Sequence, residues 1–257
     1  MLDHGLDLTV KTDPLGFEYG PDCFGPDPER RRLDDIRQSL RDPGCAGPEV
    51  VYAIVMDIGS PARRDDLVVR HLLYGAVVCA TGQLGDEPIR SQGHVHRKSP
   101  RAGMPTPEVY EFWSGRGFVL MQEHDGDDPG ACYAVEAGPG DVVVVPPGWA
   151  HATLSATPDQ PLAFGAWCDR AYAFDYQSVR AHRGLAWFAR LQGGALCWER
   201  NPSYAASELI VKLPEPYAQL GLEPGVSIWR QYLSDPGRFD FVPDPARAAS
   251  HWPVFVP

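Results

Sequence analysis

Paired cysteines, long apolar runs and surplus positive charge are missing from this sequence. No stretch approaches the ~18 consecutive apolar residues of a membrane-spanning helix. The six cysteines, Cys23, Cys45, Cys79, Cys132, Cys168 and Cys197, form no C-x-x-C pair, and no N-terminal apolar run precedes a cleavage-like site. A disulfide framework and secretion are therefore not expected, and a reducing cytoplasm is. Acidic residues outnumber basic ones by 34 to 23, a formal charge of −11, which argues against nucleic acid or an anionic membrane as partner. A small polar ligand is expected instead. Internal repeats and low-complexity linkers are absent too.

What is present reads as an all-β chain. Glycine and proline, 26 of each, separate many short apolar runs, a pattern of strands and turns rather than long helices. Strands are expected at 50–58, 67–80, 108–113, 118–122, 132–136, 142–145, 150–156 and 162–168, enough for a jelly-roll barrel. Asp27 and Pro28 read as the N-cap and first position of a helix carrying Leu33, Ile36 and Leu40 on one stripe. Further short helices are expected at 178–182 and 227–233, and a hairpin at 185–200 around Gln192-Gly193-Gly194. The chain reads as one domain, 1–257, with a barrel core over 48–200 and a proline-rich wrapping extension over 201–257.

The chemistry concentrates in two segments. In a strand, residues i and i+2 share a face, so His94 and His96 of Gly93-His94-Val95-His96 point the same way. Glu108 and Tyr110 share a face of the strand that starts at Glu108, and a second unit, Gly140 to Gly148, delivers His151. Three imidazoles and a carboxylate suit one divalent transition metal, Fe, Mn, Ni, Co or Zn, with positions left open for substrate.

The spacing Gly-x5-Pro-x-Gly-x2-His, met by Gly140, Pro146, Gly148 and His151, resembles the second motif of the cupin superfamily, with Ser155 in place of its closing asparagine. His94-x-His96 with Glu108-x6-Gly115 resembles the first motif. There Pro88 replaces the opening glycine, and the interval from His96 to Glu108 is stretched into a loop, 97–107. A narrower resemblance runs through Arg31-Arg32-Leu33, Val50-Val51-Tyr52, Gly82-Gln83-Leu84-Gly85-Asp86-Glu87, Gly93 to His96, Glu108-Val109-Tyr110, Val145 to His151 and Asp175-Tyr176. Together these resemble the cupin-type glucose-6-phosphate isomerases of archaea and some bacteria.

That resemblance implies a metal-dependent aldose–ketose isomerase acting on glucose 6-phosphate and fructose 6-phosphate, as a homodimer. It implies Glu108 as the base, and also as a ligand beside His94, His96 and His151, with proton or hydride transfer between C1 and C2. Tyr110 would hold a sugar hydroxyl or the enediolate. Ser91, the Gly93 amide and Tyr176 would contact substrate, and the loop cations Arg97, Lys98 and Arg101 lie beside the site, with Lys98 a candidate substrate contact. Val77, Gln92, Cys168 and Phe174 depart from the family around the substrate. Those departures keep open an isomerase of an unphosphorylated sugar; a cupin oxygenase or a non-catalytic sugar-binding module stays open from the donor set alone.

Overall fold

The computed structural model describes residues 2–257. Leu8–Thr12 (β1) and Leu15–Tyr19 (β2) form an antiparallel hairpin. Glu29–Arg32 (β3) leads into one helical turn, Leu33–Ile36 (α1), followed by Val50–Met56 (β4), the helix Arg64–Arg70 (α2) and Leu72–Cys79 (β5). Three two-residue strands come next, Gln83–Leu84 (β6), Glu87–Pro88 (β7) and Val95–His96 (β8). The barrel continues with Glu108–Ser114 (β9), Gly117–Gln122 (β10), Cys132–Ala137 (β11), Val142–Val145 (β12), Ala150–Ser155 (β13) and Ala163–Asp169 (β14). Phe174–Asp175 (β15), Gln177–Ala181 (α3), the hairpin Trp187–Gln192 (β16) and Ala195–Arg200 (β17), Leu209–Lys212 (β18) and Ile228–Ser234 (α4) complete the regular structure.

A six-stranded sheet, ordered β12-β9-β14-β5-β4-β3, packs against a four-stranded sheet, β13-β10-β11-β18. This is a β jelly roll. Its interior holds Tyr110, Phe112, Val143 and Phe164 from the first sheet with Val119, Met121 and Val135 from the second. The intervening residues of the same strands are buried as well, because both outer faces are covered. β1, β2 and the C-terminal segment cover the large sheet, where Val109, Trp113 and Trp167 meet Phe17, Trp229 and Tyr232. α3 and the β16–β17 hairpin cover the small one, where Leu120, Ala152 and Leu154 meet Val179, Leu185 and Ala189. Hence β9, β10, β13 and β14 read as nearly unbroken apolar runs instead of alternating ones.

The C-terminal segment is held chiefly by aromatic packing. Trp229 stacks on Trp167 at 5.5 Å between ring centroids, and Tyr74 meets Trp167 edge-on at 4.5 Å. Ser227 caps α4 by accepting from the Arg230 amide, as its position before an apolar stripe predicts.

Two sequence expectations are corrected. Residues 67–70, expected at the start of a strand, are the end of α2; His71 in the left-handed region (φ 58°) ends the helix and lets β5 begin at Leu72. The helix expected from Pro28 starts only at Leu33, because residues 29–32 pair with β4 in the register Arg30↔Ala53. Sheet pairing overrides the local Asp-Pro signal, although Leu33, Ile36 and Leu40 are buried as their stripe requires.

Glu111 joins the barrel to the C-terminal segment. Its carboxylate, only 1% exposed, accepts from the Ile228 amide at 2.9 Å and from Trp113 Nε1 at 3.1 Å. Burial outweighs those two donors and pushes the carboxyl up to about 7 from its ordinary 4.5. The folded chain thus keeps a proton that the unfolded chain has released, so stability falls as pH rises from 4.5 to 7 and levels off above. The full effect is roughly 3 kcal/mol by linkage. Urea unfolding of Glu111→Gln is expected to lose that pH dependence, and an unchanged profile would remove Glu111 as its source.

Candidate metal centre

A mismatch of one residue shapes the site. The segment entering the first histidine motif runs antiparallel to β13: the Ser91 amide donates to the Thr153 carbonyl, and His94 and His151 exchange both backbone hydrogen bonds. Between those two pairings the entering segment contains two residues, Gln92 and Gly93, where β13 contains one. The result is a β-bulge, and Gly93 occupies it at φ 80°, where a Cβ would also lie 3.3 Å from Val179 and 3.4 Å from Ala152. Ser91 Oγ accepts from the Thr153 amide.

Beyond the bulge the ligating side chains converge. One donor atom from each of His94, His96, Glu108 and His151 lies within 4.8 Å of all the others. His94 and His96 come from the bulged segment and β8, Glu108 from the start of β9 opposite Val145, and His151 from β13. His96, Glu108 and His151 are buried.

Hydrogen bonding identifies the free nitrogen of two rings. His96 Nδ1 is 3.0 Å from the Thr106 carbonyl oxygen, and His151 Nδ1 is 3.0 Å from that of Trp149. A carbonyl only accepts, so each Nδ1 carries the hydrogen and each neutral ring has its lone pair on Nε2. Those Nε2 atoms lie 3.1 and 3.2 Å from Glu108 Oε2, lone pair against carboxylate. His94 Nε2 is buried with no partner at all. Burial, reinforced by the neighbouring His151 and His96, holds the His94 ring well below its ordinary pKa and thus neutral. Two unshared nitrogen pairs, a third neutral imidazole with an unpartnered nitrogen and an anionic oxygen around one point fit a divalent transition ion.

The rest of the Glu108 carboxylate is also engaged. Tyr110 donates to Oε2 at 2.8 Å, and the Cys168 thiol donates to Oε1 at 2.9 Å. Burial opposes the charge on Glu108; positive charge at the His151 and His96 Nε2 atoms, from protons there or from an ion held between neutral rings, would outweigh it and hold the carboxyl well below the carboxylate range. Burial and the Glu108 charge push both Tyr110 and Cys168 up, so they remain protonated donors.

His94, Glu108 and Tyr110 open onto a cavity of 60 Å³ that is also lined by Ser91, Gly93, Tyr176 and Cys168. Phe174 packs on His94 at 4.3 Å between ring centroids and forms an apolar wall. Lys98 is exposed and does not line the cavity, and Arg97 turns aside to Asp175 at 3.3 Å. Sequence reasoning missed the carbonyls of Thr106 and Trp149, which act through the backbone and carry no residue signature. It also missed Arg31 at the cavity wall and Arg180 behind it.

A family model described as glucose-6-phosphate isomerase matches residues 38–206. The chain belongs to the glucose-6-phosphate isomerase family, in its cupin form. It is accordingly an enzyme, an aldose–ketose isomerase acting on sugar phosphate. The glucose-6-phosphate isomerase of Thermococcus litoralis is 32% identical over 180 residues, covering 68% of this chain and 86% of that one. That of Thermococcus onnurineus is 33% identical over 135 residues, covering 52% and 66%. Bacillus subtilis oxalate decarboxylase, a solved structure, aligns over 49% of this chain and 27% of its own at 18% identity and a TM-score of 0.35, too low to carry an argument. Residues 207–257, which include α4, lie outside the family match.

Elemental analysis of the purified isomerase is expected to find one divalent ion per chain, lost on chelation with a drop in melting temperature of several degrees and regained on adding metal. His151→Ala is expected to bind metal at least tenfold more weakly, and full occupancy in that variant would refute the ligand assignment.

Proposed function

We propose that this enzyme interconverts glucose 6-phosphate and fructose 6-phosphate with one divalent ion held by His94, His96, Glu108 and His151. The observation that carries the proposal is the convergence of those four donors at the wall of the cavity that Tyr110 also lines. Held there, the ion would withdraw charge from the C1 and C2 oxygens of the open-chain sugar as a Lewis acid. The protein must then orient the sugar, exclude water and move one hydrogen between the two carbons.

Tyr110 is suited to the first task. Its hydroxyl stays protonated, and by turning its one hydrogen from Glu108 Oε2 to the substrate it can donate to an oxygen on which negative charge develops. Phe164, Ala166 and Phe174 line the same space with apolar surface, which strengthens that hydrogen bond by excluding water. Glu108 carries the proton in this reading, taken from C2 and returned to C1, or the reverse. Ser91 and the Gly93 amide, freed by the bulge, serve the phosphate end together with Tyr176.

One observation favours direct hydride transfer as a second mechanism. Both Glu108 oxygens already have partners, Oε2 in His96, His151 and Tyr110 and Oε1 in Cys168. Turnover in deuterium oxide separates the two. Proton transfer through Glu108 places solvent deuterium on the product carbon, whereas hydride transfer leaves the original hydrogen in place. An assay of the metal-loaded enzyme on glucose 6-phosphate, mannose 6-phosphate and the free sugars tests the substrate. Turnover of glucose 6-phosphate at least a hundredfold better than of glucose is expected, and none on any phosphorylated sugar would sink the proposal.

A further inference from the structure

Beside the metal centre, two buried donor atoms lie in one contact pair and have no acceptor. Gln92 is 1% exposed, lines the cavity and occupies the bulge next to Gly93. Its Oε1 accepts from Arg180 Nη2 at 3.0 Å. A guanidinium can only donate, so this contact decides which way the amide faces and commits Nε2 to the opposite side. Nε2 is buried and unpartnered, and so is Arg180 Nε. A buried donor left bare is costly, so such a pair calls for an acceptor that the chain does not itself supply.

The surroundings indicate what that acceptor is. Arg180 lies over the Tyr176 ring, its Cζ 5.2 Å from the centroid, and Arg31 joins Gln92 and Tyr176 in the cavity wall. Two guanidinium groups thus stand at the Tyr176 end in a chain with a formal charge of −11. Arg31 is paired with Glu29 at 3.1 Å, whereas Arg180 has no carboxylate partner among the described residues, and its unpaired charge favours an anion. The backbone at this end is held as well: Arg90, paired with Glu87 at 3.0 Å, donates to the Ser91 carbonyl at 3.0 Å and the Gln92 carbonyl at 3.4 Å. Those carbonyls therefore face away from the incoming ligand.

We infer that Gln92 and Arg180 act as one unit that recognises the phosphate end of the substrate, Gln92 Nε2 donating to a phosphate oxygen while Arg180 fixes the amide and adds its charge. The inference rests on the sugar-phosphate reading above and adds two specificity residues to it. In this unit Gln92 touches the ligand, and Arg180 positions Gln92.

The test is calorimetric titration of the metal-loaded enzyme with 6-phosphogluconate and with gluconate, two acids that differ only in the phosphate. For Gln92→Leu we expect affinity for 6-phosphogluconate to fall about tenfold or more, as loss of a hydrogen bond to a charged group requires, with gluconate within twofold and metal content unchanged. Arg180→Met is expected to lose a similar factor, and the double variant little more than either single one, because coupled residues are not additive. Gln92→Glu keeps the Arg180 contact, and so the fold, but replaces the donor with a carboxylate; it should lose more than Gln92→Leu. Unchanged affinity for 6-phosphogluconate in Gln92→Leu and Gln92→Glu overturns the inference alone, as do equal losses for gluconate or fully additive losses. Wild-type enzyme that shows no preference for the phosphorylated acid overturns the sugar-phosphate reading and this inference together.

Discussion

Strand β9 carries two buried carboxylates, Glu108 and Glu111, on opposite faces, and the rest of the molecule is arranged around keeping each in its place. The two-residue period of a strand sends Glu108 into the barrel and Glu111 out towards the C-terminal segment. Burial opposes ionisation of both, yet their states diverge. Glu108 has His96 and His151 against one oxygen and Cys168 against the other, and its carboxyl is held low once the two imidazoles, or an ion between them, carry positive charge. Glu111 has one backbone amide and one indole, and its carboxyl is pushed up. The partners distinguish the candidate cation ligand, Glu108, from the structural tie, Glu111.

The bulge at Gln92-Gly93 does comparable work for the substrate side. Regular pairing of the 89–96 segment with β13 would have set Gly93 opposite His151 and consumed its amide in the ladder. One extra residue instead sets His94 opposite His151 while Gln92 is directed to the cavity wall. Arg90 holds the bulge from behind through a buried ion pair with Glu87. Such a pair adds little net stability, because desolvation of both charges offsets their attraction. Its value lies in holding the carbonyls of Ser91 and Gln92 in one direction.

Much of this was legible in the sequence where the signal is a residue type at a fixed period. The strands of the barrel follow from short apolar runs set between turn residues, the face shared by His94 and His96 from the strand period of two, and the arrival of His151 from the turn at Pro146-Pro147-Gly148. Where tertiary pairing competes with a local signal, the reading failed: β3 displaced the helix start at Pro28, and α2 took residues 67–70. Contacts made by backbone atoms were invisible for a different reason. Thr106 and Trp149 orient His96 and His151 through carbonyls, and any residue supplies a carbonyl. The stretched interval between His96 and Glu108 has its explanation here, since loop 97–107 places the Thr106 carbonyl behind His96 before the chain enters β9. Arg180 stands 88 residues from the glutamine it holds, and no spacing rule connects the two.

The four-donor cluster could in principle be held together by protons instead of a metal ion, and the hydrogen bonding separates the two. Protonating His96 and His151 would turn both Nε2 contacts to Glu108 into charge-assisted hydrogen bonds, satisfying two of the three imidazoles. His94 would remain unsatisfied, because its Nε2 is buried without an acceptor. A third proton there would put another cation between His96 and His151, which burial and those neighbours both oppose. A divalent ion needs no added proton: it accepts the lone pair of His94 together with those of His96 and His151, and it takes the charge of Glu108. A divalent ion would satisfy all four groups at once, and the orphan nitrogen of His94 is the strongest single mark in favour of one.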